Sequence, residues 1–210
     1  MAEKEYPRPA LTADVVALRL RGRLEVLLIE RARAPFKGCY ALPGGFVDPD
    51  ETPQTAAHRE LEEETGVKGL PLMEIGVFGT PGRDPRGWVV TSAWLGLAPA
   101  DCEAQAGDDA AKARWFPLDA LPGLAFDHDE IIEAARQRLM TQAQVGPWPL
   151  GLLGDTFRTR HVRLLYNQIF GTSVPPRSFK AWLRHRGAVI RVGPARFKAA
   201  ERFTGWIKSL

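Results

Sequence analysis

One segment, residues 45–67 (GFVDPDETPQTAAHRELEEETGV), constrains this chain more than any other. Its second half reads as a helix with both ends marked. Thr52 suits the N-cap, Pro53 the first helical position, and Gly66 the left-handed position past the last turn. Within that helix Glu60, Glu63 and Glu64 stand at i, i+3 and i+4, so their carboxylates gather on one face. Like charges packed this way weaken an isolated helix by about 0.2–0.5 kcal/mol per pair. Two readings follow. The face is solvated, as glutamate-rich turns commonly are, or a divalent cation fills the space between the carboxylates. Three carboxylates on a rigid helix are hard oxygen ligands suited to Mg²⁺ or Mn²⁺. A turn at Pro43-Gly44-Gly45 brings backbone to the same face, where carbonyls such as that of Gly45 can complete a shell. Arg59 is placed to pair with Glu51 and fix the loop to the helix, while Glu62 points to solvent.

The remaining pattern is mixed. Residues 14–20 and 24–30 read as a hairpin around Arg21-Gly22-Arg23. Short strands are expected at 39–42, 72–79 and 88–97, and around Trp115 and Phe116. Ile131, Ile132, Ala135 and Leu139 give residues 129–142 a helical period. Strands and helices do not alternate regularly, which favours an α+β fold. At 45% hydrophobic and 25% charged, the composition excludes a disordered chain and a fibre. No apolar stretch is long enough to cross a bilayer, and Met1-Ala2-Glu3-Lys4-Glu5, which carries acid and no apolar core, leads us to expect no secretory signal. Two cysteines, Cys39 and Cys102, have no metal-ligand spacing and suit a reducing cytoplasm.

Charge divides the chain. Residues 1–140 hold 16 Lys/Arg against 23 Asp/Glu, whereas residues 141–210 hold 12 against 2. A breaker-rich run, Gly146-Pro147-Trp148-Pro149, lies near the change, so domains are expected at 1–145 and 146–210. In the second, a helix at 159–170 carries Val162, Leu165, Tyr166 and Ile169 on one face and stops at Gly171. A second helix, at 177–185, places Arg177, Ser178, Lys180 and Arg184 opposite its apolar face. A strand at 188–192 and a return segment at 196–203 complete the outline of a winged helix-turn-helix. The cationic surface either contacts nucleic-acid phosphates, is solvated, or docks on the acidic first domain.

The segment 45–67 matches the Nudix hydrolase signature at Gly45, Glu51, Arg59, Glu60, Leu61, Glu63, Glu64, Gly66 and Val67. The resemblance implies a sheet layered between helices and Mg²⁺-dependent cleavage of a diphosphate linked to another moiety. It also implies that Glu60 and Glu64, usually with Glu63, hold the metal, in a catalytic set that includes Arg59 and Glu51. Family members differ in the general base; beyond the box itself, Asp108, Asp109 and Glu130 are candidates here. Arg83 and Arg86, in the loop GTPGRDPRG, suit phosphate oxygens or form an ordinary surface turn. That loop, with AGDDA at 106–110 and FDHDE at 126–130, looks like a Nudix subgroup that hydrolyses ADP-ribose. His128 reads as a structural residue at a helix start. Trp88, Trp94 and Trp115 read as core or rim residues, one of which could stack on adenine.

The whole order resembles a family of Nudix-related transcriptional regulators of NAD metabolism. The expected architecture is therefore a Nudix α/β/α sandwich followed by a small winged helix-turn-helix domain. In such regulators the Nudix domain often senses ADP-ribose and the tail binds double-stranded operator DNA. Many have lost a metal-binding Glu, whereas this box is intact. Ser178 stands where asparagine is expected, and the basic wing Gly193-Pro194-Ala195-Arg196 is short. The primary expectation is a hydrolase of ADP-ribose or a related nucleoside diphosphate. The alternative is an ADP-ribose-sensing, DNA-binding homodimer with little turnover.

Overall fold

The computed structural model describes residues 6–107, 110–173, 175, 189–194 and 196–199. In chain order its elements are β1 (Ala10–Arg21), β2 (Arg23–Arg31), β3 (Tyr40–Ala41), β4 (Gly44–Phe46) and α1 (Pro53–Thr65). There follow β5 (Leu72–Phe78), β6 (Val89–Leu97), β7 (Ala110–Pro117) and α2 (His128–Val145). A 3₁₀ helix (Trp148–Leu153), α3 (Thr159–Phe170) and the hairpin strands β8 (Val189–Gly193) and β9 (Arg196–Ala199) end the description.

The strand β1 organises the sheet because both of its faces are covered. Ala13, Val15 and Ala17 join a cluster with Ala56, Ala57 and Leu61 of α1. Val16, Leu18 and Leu20 join another with Ile131, Ile132, Ala135 and Leu139 of α2. Successive side chains leave opposite faces of a strand, so a sheet sandwiched between helices demands apolar residues at every position. The run DVVALRL satisfies that demand almost throughout, and the expected helix–sheet–helix layering follows.

Along one edge β1 pairs in parallel with β6, from Ala10 opposite Val89 to Leu18 opposite Leu97. Its other edge is shared. The first part pairs with β4, placing Asp14 opposite Gly44, and the last part pairs with β2, placing Leu18 opposite Val26. The expected hairpin turns at Gly22, whose φ of 78° suits glycine. The expected turn at Pro43-Gly44-Gly45 proves to be strand: Gly44 and Gly45 pair with β1, and the local sequence cannot reveal a partner thirty residues away.

The helix α2 ends at Val145, beside the breaker-rich run, but the apolar core continues past it. Leu150, Leu152, Phe157, Val162, Leu165 and Ile169 belong to the same buried cluster as α2. Phe157 and Phe197 exchange backbone hydrogen bonds of 2.9 Å each, tying β9 to the segment before α3. Gly171 closes α3 at φ 61°, as its position in the sequence predicts. The helix expected at 177–185 lies outside the described residues, as do the side chains of Arg177, Ser178, Lys180 and Arg184. Among the described residues no helix is long and apolar enough to cross a membrane.

Candidate active site

The helix α1 forms as its ends dictate. Thr55 N donates to Thr52 Oγ1 at 3.1 Å, and Gly66, at φ 69°, donates its N–H to Glu62 O at 2.8 Å. Ala56, Ala57 and Leu61 face the sheet, and two alanines let the helix lie close to it. This approach presses Glu60 and Glu64 against β4. Gly44 N donates to Glu64 Oε2 at 2.9 Å. A Cβ on Gly45 would sit 2.3 Å from Glu60 Oε1, and one on Gly44 would sit 2.4 Å from the Ala13 carbonyl oxygen. The two glycines are therefore the floor on which the carboxylates rest.

Arg59 gathers the acids around it. Its Nη2 donates to Glu51 Oε1 at 2.6 Å and to Phe46 O at 3.0 Å, and its Nε donates to Glu51 Oε2 at 3.2 Å. Its Nη1 donates to Glu60 Oε1 at 2.7 Å and to Glu63 Oε2 at 3.3 Å. The expected Arg59–Glu51 pair is thus present and extends into a network. Hydrogen bonds from Arg59 and from Asp48 N hold Glu51 below the usual carboxylate range. Glu62 turns outward to Lys68 Nζ at 3.3 Å, as expected.

Glu60 and Glu64 behave oppositely to Glu51. Burial drives Glu64 up to about 8; the Gly44 N–H opposes the rise, and repulsion from Glu60 and Asp14 adds to it. Burial likewise raises Glu60, although Arg59 works against it. Crowded, desolvated carboxylates of this kind are relieved by a bound cation. Among the described residues no three acidic, His or Cys side chains already converge as a metal cage. Glu60 and Glu63 are instead drawn to Arg59. The donor set fits a hard divalent cation in chemistry, with Glu60 and Glu63 held on Arg59 and Glu64 on Gly44 N–H.

A cavity of about 110 Å³ lies over Gly44 and Gly45, with Asp14, Arg31, Arg86 and His128 in its walls. Arg83, 4% exposed at its side chain, is gripped by Asp127 at 2.6 and 2.8 Å, and its Nη2 lies 3.9 Å from Asp14 Oδ2. Arg86 forks onto Asp84 at 2.6–3.1 Å. Burial pushes Asp84 up, but the hydrogen bonds from Arg86 outweigh it and hold the carboxyl low. His128 Nδ1 accepts from Leu42 N at 2.8 Å, so in the neutral ring Nε2 carries the proton; it lies 3.9 Å from Asp14 Oδ1. Burial lowers the His128 pKa and favours that neutral form. Arg83 and Arg86 thus share the cavity with Gly44 and Gly45, the backbone on which Glu64 and Glu60 pack. Asp108 and Asp109 lie outside the described residues, and Glu130 is exposed on α2. Trp88 is exposed, Trp94 and Trp115 pack on the α1 side, and none of the three lines the cavity. Sequence reasoning gave no role to Asp14, Arg31 or Asp127. The lone acid in DVVALRL was the available signal for Asp14, because a buried carboxylate requires a reason.

With this geometry in hand, the NUDIX domain profile is found to match residues 8–135, more than half of the chain. The chain belongs to the Nudix family. A Nudix relative from Methanocaldococcus jannaschii, named ADP-ribose pyrophosphatase, is 44% identical over 128 residues, covering 61% of this chain and 73% of the relative. Another, from Acinetobacter baylyi, is named ADPR responsive transcriptional repressor NtrR. It is 32% identical over 192 residues, covering 89% of this chain and 77% of the relative. Among solved structures, Shewanella oneidensis NrtR complexed with a 27mer DNA superposes with a TM-score of 0.75 at 28% identity. That match covers 90% of this chain and 92% of the other. The likeness to these two proteins therefore extends beyond the part of the chain that the NUDIX profile matches.

Proposed function

We propose that this chain is a Mg²⁺- or Mn²⁺-dependent pyrophosphohydrolase that cleaves ADP-ribose to AMP and ribose 5-phosphate. The observation that carries the reading is the convergence of Glu60 and Glu64 on the Gly44–Gly45 backbone, across a cavity from Arg86. The 44% identity to a named ADP-ribose pyrophosphatase supports the substrate. In this reading Glu60, Glu63 and Glu64 hold the cation, with the Gly45 carbonyl available beside them. Bound there, the cation supplies charge neutralisation at the diphosphate and acidifies water. Arg59 and Glu51 set the helix against the loop and hold Glu60 and Glu63 in reach. Arg86 meets phosphate oxygens, and Arg83 backs that wall through Asp127 and Asp14. One water is consumed, one P–O bond of the diphosphate breaks, and each product keeps one phosphate. The test is AMP release from ADP-ribose by the purified full-length chain. Turnover that depends on Mg²⁺ supports an enzyme. Absence of turnover with measurable ADP-ribose binding overturns it and leaves a sensor.

A second reading has its own support. The Acinetobacter repressor aligns over nearly the whole chain, and residues 141–210 carry twelve cations against two acids. Under this reading residues 146–210 form a basic module whose Arg177, Ser178, Lys180 and Arg184 contact double-stranded DNA. A cytoplasmic homodimer then matches the two half-sites of an operator. Binding to duplex DNA upstream of its own operon should weaken steeply with salt and fall on charge reversal of Arg177 and Lys180. Indifference to both removes this reading.

A further inference from the structure

Phe126 holds an unusual place in the cavity wall. It precedes α2 with a φ of 55°, a region that bulky side chains avoid and that glycine normally occupies. Such a conformation persists when the surroundings impose it. Here Ala125 N donates to Tyr40 O at 2.8 Å, Asp127 grips Arg83, and the ring of Phe36, itself at φ 62°, meets Phe126 edge-on at 4.9 Å. The outcome is an aromatic ring fixed at the cavity between two cations. Arg31 Cζ lies 4.8 Å from its centroid and Arg86 Cζ lies 5.6 Å from it. Arg86 also lies 5.1 Å from the ring of Phe46 on β4.

Two guanidinium groups on one ring repel each other. Burial lowers the Arg31 pKa, and the charge of Arg86 lowers it further. Arg31 spends Nε on Pro35 O at 2.8 Å, and among the described residues its terminal nitrogens take no hydrogen-bond partner. Arg86 is forked onto Asp84, which leaves Nη1. Half-buried Arg31 and exposed Arg86, held together with donors unspent, are arranged for an anion. We propose that Phe126 is a positioning residue. Its ring is the platform that holds Arg31 and Arg86 as a two-arginine clamp for the phosphate groups of the substrate. Arg31 is thereby a phosphate-binding residue facing the carboxylate wall. This rests on the reading of the cavity as a diphosphate site and adds how its cationic half is built.

The test uses the full-length chain and two probes: ADP-ribose with Mg²⁺, and inorganic pyrophosphate without divalent metal, followed by calorimetry. Phe126→Leu keeps an apolar side chain and removes the π face. It should weaken pyrophosphate binding roughly tenfold and raise KM for ADP-ribose more than it lowers kcat. Phe126→Tyr, which keeps the ring, should restore both. In an Arg31→Met/Arg86→Met background Phe126→Leu should cost nothing more. If Phe126→Leu binds pyrophosphate as the unaltered chain does, or still costs tenfold without the arginines, the platform is wrong. If Phe126→Leu is destabilised, a ring-bearing variant that folds yet binds pyrophosphate weakly overturns the proposal in its place. If the unaltered chain ignores ADP-ribose but binds pyrophosphate through Phe126, the substrate assignment fails and the clamp stands. If it binds no pyrophosphate, the clamp fails.

Discussion

The two walls of the site, the acid face of α1 behind Gly44 and Gly45 and the lining of the cavity in front of them, are built in different ways. The acidic wall comes from one helix: Glu60, Glu63 and Glu64 share a face of α1, Arg59 from the same turn holds the first two, and Gly44 N–H holds the third. The opposite wall comes from separate stretches of chain. Asp14 is on β1, Arg31 ends β2, Arg86 lies in the loop before β6, and Phe126 precedes α2. Arg86 takes a local acid, Asp84, but Arg83 takes Asp127 and Arg31 takes the Phe126 ring, partners that only folding brings to them. A wall built on one helix keeps its geometry as long as that helix is docked. A wall built from four segments depends on buried ion pairs. Damage to the first should therefore appear in chemistry, and damage to the second in stability as well.

The largest effect expected is at Glu64. Glu64→Gln keeps the shape and an acceptor for Gly44 N–H but removes the charge a cation needs. Losing several kcal/mol of charge stabilisation should reduce metal-dependent turnover by roughly 10³-fold. The thermal unfolding curve should not fall below that of the unaltered chain. Turnover within a few-fold of normal would remove Glu64 from the metal site.

Next is Asp127→Ala on the other wall. Arg83 is almost fully buried and loses both hydrogen bonds to Asp127, leaving Asp14 at 3.9 Å as its nearest acid. Stranding a buried charge typically costs about 3 kcal/mol or more, read by denaturant unfolding. A variant as stable as the unaltered chain would show that the second wall is not held by this pair, and the contrast between the walls would collapse.

The same contrast explains what could be read in the sequence. The acid face of α1 was legible because its cause is local: a cap at Thr52, a glycine stop at Gly66 and a 3.6-residue period. The Arg59–Glu51 pair was legible for the same reason, since eight residues separate its partners. Gly44 was read as turn because its reason for being glycine lies across the sheet, at Ala13 and Asp14. Arg83 and Arg86 were picked out as phosphate candidates, yet their partners were not. Asp127 is 44 residues away from Arg83, and no periodicity links them. The break near residue 146 was visible in composition, whereas the burial of Leu150, Leu152 and Leu165 in the core of α2 depends on tertiary packing.

The last effect, the smallest per pH unit, separates the walls by pH. In the folded, cation-free chain Glu64 keeps its proton up to about pH 8, while unfolded it ionises near 4.5. The unfolded chain thus releases a proton across this window and the folded chain does not. The contribution of Glu64 to stability is complete below 4.5 and is lost as pH rises through 8. One such group gives a slope of at most about 1.4 kcal/mol per pH unit. The basic wall adds a contribution of opposite sign: His128 is held neutral by burial when folded but is protonated below 6.5 when unfolded, so its share of stability rises with pH up to 6.5, while Asp84, held low by Arg86, stays ionised throughout. Denaturant unfolding from pH 6.5 to 8 without divalent metal should therefore show a decline that Glu64→Gln flattens. Added Mg²⁺, which favours the ionised carboxylate, should flatten it too. An equal decline in both proteins would assign the titration elsewhere and remove the electrostatic reason for placing a cation at α1.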